Sequence, residues 1–122
     1  MIEVLVQSEG NVLGIKGRGK LTDEDYKDNL IPRLEAILKE HGKANLLFLM
    51  DHDFKGWDLD AAVDYAKFGI NNRDRFDKVA AVCGPNWVHL GMKLTSYVTE
   101  GDIRSFSCDQ LDEAWDWVKS ES

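Results

Sequence analysis

The sequence predicts an α/β domain with a mostly parallel central sheet of four to five strands flanked by helices, in the order ββαβαβαβα. Asn45 to Met50 (NLLFLM) and Val79 to Cys83 (VAAVC) are apolar without alternation, the character of strands covered on both faces. Around them, apolar residues recur at intervals of three and four, the spacing of one helix face. Strand and helix patterns also alternate along the chain, which implies parallel strands with helices packed over the sheet.

Ile2 to Gln7 and Val12 to Gly17 are rich in β-branched and apolar residues, and Ser8-Glu9-Gly10-Asn11 between them carries turn chemistry. They are expected to pair antiparallel. Thr22 and Asp25 have the spacing of a capping box, and Tyr26, Leu30, Leu34, Ile37 and Leu38 follow on one helical face as far as Gly42. Pro32 within that pattern predicts a kink or a restart. Asp58 can cap a second helix, whose Leu59, Ala62, Val63, Ala66 and Ile70 form an apolar stripe. Pro85 and Asn86 open a third, with Trp87, Leu90, Gly91, Leu94 and Val98 on one side. A short strand around Ile103 to Phe106 precedes a last helix capped by Asp109, with Leu111, Ala114, Trp115 and Val118 inward.

A chain of 122 residues, 43% hydrophobic and 30% charged, fits one domain able to bury its own core. Its formal charge of −7 and the lack of a Lys/Arg cluster argue against a nucleic-acid partner, and none is expected. No leader pattern is present, and no apolar run approaches the roughly 18 to 20 residues of a membrane span, so a cytoplasmic location is expected. Cys83 and Cys108 lie beside strand-like residues without CxxC spacing and are expected to be buried free thiols.

The stretch Asp51 to Asp60 (DHDFKGWDLD) invites three chemical readings. A calcium loop needs oxygen donors at its first, third and fifth positions and a bidentate acid at the twelfth; Lys55 and Ala62 occupy the last two of these. Asp51, His52 and Asp53 alternate faces on an extended chain, and His41 and His89 do not converge on them in sequence, so no metal is expected. Gly14 to Lys20 (GIKGRGK) matches neither a phosphate loop nor a dinucleotide fingerprint; its glycines mark a bend or close packing, while Arg18 and Lys20 could meet an anionic group. No nucleophile signature is present, and neither an enzyme nor a cofactor is expected.

Aromatic residues are concentrated where strand ends lead into helices, and in an open α/β sheet ligands bind beyond the carboxyl ends of parallel strands. Asp53 to Trp57 and Gly84 to Trp87 occupy two such ends.

Several motifs carry a family resemblance: KLTDEDY at 20–26, LIPRLE at 30–35, DFKGWD at 53–58, Phe68-Gly69, FDKVAAVCG at 76–84 with Trp87, IRSF at 103–106 and DEAWDWV at 112–118. In this order they resemble the SpoIIAA-like proteins of the STAS and Sec14 (CRAL-TRIO)-related superfamily. The resemblance implies a small bacterial α/β domain whose relatives include phosphorylation-switched anti-sigma-factor antagonists and lipid-transfer domains. The switch needs a Ser or Thr near the helix following the third core strand; residues 53–58 contain neither. Asn71-Asn72 stand where the family pattern has a His, and Tyr97-Val98 where it has Pro-Phe, so no role tied to those positions carries over.

Three functions are weighed. A non-enzymatic domain would hold an apolar or amphipathic small molecule, a lipid among them, between the sheet and the second and third helices. Phe54, Trp57, Phe68, Trp87 and Tyr97 would line it, and Lys55 or Lys93 would meet an acidic head. Alternatively, Asp53, Trp57 and Asp58 with Trp117 would form a surface for a regulatory protein partner. Both readings are compatible with a homodimer. A third reading places an amphipathic helix on the inner membrane surface, although the net charge opposes anionic lipid.

Overall fold

A computed structural model describes residues 1–72, 74–84 and 102–120. The strands are β1 (Ile2–Val4), β2 (Val12–Gly17), β3 (Lys20–Leu21), β4 (Ala44–Met50), β5 (Gly56–Trp57), β6 (Phe76–Cys83) and β7 (Asp102–Phe106). The α-helices are α1 (Asp23–Asp25), α2 (Ile31–His41), α3 (Leu59–Asn71) and α4 (Leu111–Lys119), with a π turn at Tyr26–Leu30 and a 3-10 turn at Cys108–Gln110. The third helix expected from Pro85 lies outside the described residues.

Five strands form the central sheet in the order β1-β2-β4-β6-β7. β1 is antiparallel to β2, and every other neighbour pair is parallel. The continuous apolar run of β4 follows from this central place. Its Phe48 packs with Leu13, Ile15, Leu34 and Leu38 on one face, while Leu47 packs with Val12, Ala80, Val82, Trp115 and Val118 on the other. Each face is covered by a helix, α2 on the first and α4 on the second, so alternate residues on β4 are apolar for different neighbours.

Local signals were met in most places. Thr22 accepts from the Asp25 N–H at 3.2 Å while the Asp25 carboxylate accepts from the Thr22 N–H at 3.0 Å, completing the capping box. The restart expected at Pro32 takes the form of the π turn: the Ile31 N–H reaches the Tyr26 carbonyl, five residues back, and α2 begins with Pro32 in its first turn. Gly42 then ends α2 with φ of +80°, where its N–H donates to the Leu38 carbonyl.

Four expectations are corrected. β1 ends at Val4 instead of continuing to Gln7. Ser107, not Asp109, makes the final capping box, with Gln110 as its partner three residues on. Four residues of the apolar stripe of α3 do not face the sheet: Leu59, Ala62, Val63 and Ala66 are exposed, while Ala61 and Phe68 turn inward, and the Ile70 side chain lies outside the described residues. Finally, Cys83 and Cys108 are joined in a disulfide, with Cys83 half-buried and Cys108 exposed, instead of being buried thiols. Twenty-five residues separate them, so only the side-by-side pairing of β6 and β7 brings them together.

Candidate functional site at the carboxyl ends of the strands

Strands β2, β4, β6 and β7 run parallel, so Gly17, Met50, Cys83 and Phe106 finish at one edge of the sheet. The segments leaving that edge build a small second layer. Lys20 and Leu21 of β3 pair in parallel with Gly56 and Trp57 of β5. Lys55 donates its N–H to the Gly19 carbonyl at 2.8 Å, and Asp58 donates to the Leu21 carbonyl at 2.9 Å, which locks residues 55–58 beside β3.

Asp51 anchors the base of this layer. Its N–H donates to the Gly17 carbonyl, and its carbonyl accepts from the Phe54 N–H. The Asp51 carboxylate accepts from the His52 N–H at 2.9 Å and lies 3.4 Å from Arg18 Nε and 3.9 Å from Lys16 Nζ. The His52 backbone hydrogen bond, assisted by its ring and the Lys16 charge, holds the Asp51 carboxyl below its ordinary value. The anionic group met by Arg18 is therefore internal: Arg18 is shared between Asp51 and Glu3. Asp53 turns to the other side and accepts from the Gly19 N–H at 3.4 Å. Among the described residues, no three His, Cys, Asp or Glu side chains are placed to hold a metal ion.

Behind these polar residues stands an aromatic cluster. Trp57 stacks on Phe48 with centroids 6.1 Å apart and meets the ring of Phe54 edge-on at 5.3 Å. Phe54 is buried, Trp57 is half-buried and Lys55 is exposed. Phe68 belongs to a neighbouring group, edge-on to Tyr26 and to Phe76 at 6.2 Å each. Asp58 accepts from the Ala61 N–H at 2.8 Å, the cap expected for α3. That bond closes the first turn of the helix, from which Leu59 and Val63 stand exposed.

Where α1 meets α3, Asp23 and Asp64 form a carboxyl pair. Their mutual hydrogen bond, with the Lys27 ammonium 2.9 Å away, holds Asp23 below its ordinary value, and the same bond raises Asp64.

The structure does not gather all the expected residues. Phe54, Trp57, Phe68, Asp53, Lys55 and Asp58 belong to the β4–α3 region. Trp117 lies on the opposite face of the sheet, packed with Phe106 and under the Arg104 guanidinium at 4.9 Å. Trp87, Lys93 and Tyr97 lie outside the described residues. The β3–β5 pair and the disulfide were missed from sequence. Two-residue strands are too short for a periodic signal, and two cysteines with ordinary spacing do not declare a bridge.

The chain matches the SpoIIAA-like family model over residues 12–119. Among solved structures, it resembles an uncharacterised protein with a SpoIIAA-like fold from Shewanella loihica PV-4, with a TM-score of 0.74 and 26% identity over 96% of this chain and 93% of that one. Comparison with curated proteins finds no match. Among the described residues, no helix is long and apolar enough to cross a membrane.

Proposed function

Because the chain belongs to the SpoIIAA-like family, matched over residues 12–119, we propose that it is a non-enzymatic binding domain for an apolar or amphipathic small molecule, a lipid among them. The ligand lies against α3 and Trp57, at the carboxyl edge of the sheet. The observation that carries this reading is the outward stripe of α3, on which Leu59 is 79% and Val63 44% exposed. An apolar stripe beside a half-buried tryptophan is the kind of surface that ligands and partners cover. Phe54 packs edge-on against Trp57, Phe68 lies on the inward side of α3, and exposed Lys55 is available to an acidic head. Trp87, Tyr97 and Lys93 are assigned to the remaining wall from their sequence positions alone.

Native mass spectrometry of gently purified protein, followed by organic extraction, tests the proposal. A bound apolar molecule is expected, with loss of the adduct in Val63→Glu at unchanged circular dichroism. Protein that is clean as purified, and that takes up neither a fatty acid nor a phospholipid when supplied with each, overturns it.

The same exposed stripe also favours a second reading, a surface for a regulatory protein. Asp53 and Asp58 flank it with negative charge, and the absence of Ser or Thr from residues 53–58 makes such binding independent of phosphorylation there. In that case Asp58→Lys and Leu59→Asp abolish partner capture by ligand-free protein. Capture unchanged in both variants removes this reading.

A further inference from the structure

We propose that the Cys83–Cys108 bond is a reversible thiol–disulfide exchange site, opened by a small thiol that attacks the sulfur of Cys108. Cys83 closes β6, and Cys108 opens the 3-10 turn before α4, with Cα atoms 4.4 Å apart. The two ends differ in access. Cys108 is exposed, and Cys83 is half-buried opposite Met50 of β4. Behind Cys83 the chain is close against that strand: a Cβ on Gly84 would lie 2.8 Å from the Met50 Cε. Exchange requires the nucleophile to approach along the S–S axis. Approach to Cys108 comes from solvent, whereas approach to Cys83 comes from the side of β4.

The backbone also favours opening. Cys83 has φ of +66°, a left-handed conformation that L residues other than Asn and Asp adopt at a cost, and Gly84 follows at +82°. The bridge helps hold Cys83 there, and breaking it allows the residue to relax. At the other end, the bridge ties the turn capped by Ser107 and Gln110 to the end of β6. Exchange therefore changes how the start of α4 is anchored.

The chemistry balances with a low-molecular-weight thiol as reductant. Its thiolate attacks Cys108 Sγ and forms a mixed disulfide, while Cys83 Sγ leaves with the bonding pair and takes a proton from water. A second thiol attacks the mixed disulfide, leaves as the oxidised dimer of the small thiol, and returns Cys108 as a thiol. Two thiols are oxidised and the protein bond is reduced.

The test is incubation of oxidised protein with reduced glutathione under native conditions, an acid quench, alkylation and peptide mass spectrometry, with circular dichroism as the folding check. A mixed disulfide on Cys108 in folded protein is expected, with faster amide exchange at residues 107–112 once the bond opens. In the single variants, Cys83→Ser should take up glutathione from its oxidised form at Cys108 several-fold faster than Cys108→Ser does at Cys83. The proposal fails if the bond opens only in denaturant, if the adduct maps to Cys83, if the two variants react equally, or if no bond forms in oxidised glutathione.

Discussion

The ammonium of Lys78 lies 2.8 Å from the carbonyl oxygen and 2.6 Å from the hydroxyl of Ser120, forty-two residues away in sequence. It also donates to the Trp117 carbonyl at 3.2 Å. Lys78 is only 5% exposed, yet its charge meets the carbonyl end of α4, where the helix dipole is negative. Asn45 completes the arrangement by donating to the Val118 carbonyl at 2.7 Å and accepting from the Lys78 N–H at 3.0 Å. Two buried polar side chains from neighbouring strands thus bond carbonyls at the end of α4, where the Trp117 carbonyl also accepts from the Ser120 N–H at 3.2 Å.

Lys78→Met keeps the length of the side chain and removes these charge-assisted bonds. A loss of about 1.5 to 3 kcal/mol is expected, the range for hydrogen bonds to a charged group. Urea unfolding measures it, and an unchanged midpoint would show that the ammonium is not an anchor of α4.

Gly14 is filled from above by Trp115: a Cβ there would lie 2.8 Å from the indole Cζ2 and closer still to Cη2. Gly14→Ala should cost about 1 to 3 kcal/mol through overpacking. The cost should shrink in a Trp115→Phe background, because the two side chains compete for one space. Equal costs in both backgrounds would place the damage in the strand itself.

Tyr26 is 8% exposed, and burial, followed by the nearby Asp64, Asp23 and Glu35 carboxylates, pushes its hydroxyl up to about 12. An unfolded tyrosine ionises at about pH 10. The folded state therefore has the higher value, so this contribution to stability is complete below about pH 10 and is lost as pH rises from there toward 12. Tyr26→Phe should remove that alkaline loss, read as a flatter stability curve above about pH 10. Tyrosinate absorbance appearing near the ordinary value for every tyrosine would contradict the assignment.

The depressed Asp51 carboxyl acts at the opposite end of the scale. Its folded value lies below the unfolded one, so its stabilisation is present above about pH 4 and is lost as pH falls through the folded value. Asp51→Asn should weaken the protein at neutral pH and reduce the steepness of acid unfolding. An acid limb with the wild-type slope would indicate that other carboxylates dominate.

The disulfide spans 25 residues. On loop-closure entropy, its removal in a Cys83→Ser, Cys108→Ser double variant should lower stability by about 3 to 4 kcal/mol relative to the oxidised protein. The comparison with reduced wild type is the control, and the two should unfold at nearly the same urea concentration.

What was legible in the sequence follows from short-range physics. The apolar runs of β4 and β6, the Thr22–Asp25 box, the Asp58 cap and the Gly42 stop are each written in a few neighbouring residues, because backbone hydrogen bonding and left-handed turns are satisfied locally. The ordered motifs carried the family and the five-stranded sheet for the same reason. The shared carboxyl edge of the parallel strands was legible as a place, because strand–helix alternation alone puts it there.

The rest needed three dimensions. The stripe of α3 has helical spacing whether it faces the sheet or solvent, and only the cap and the packing of Ala61 and Phe68 decided which. Trp57 and Trp117 are equally aromatic in sequence, but alternate faces of one sheet separate them. Cys83 and Cys108 became partners because β6 and β7 run in parallel side by side, and a bond between residues so far apart depends on the register of strands, which neither cysteine encodes.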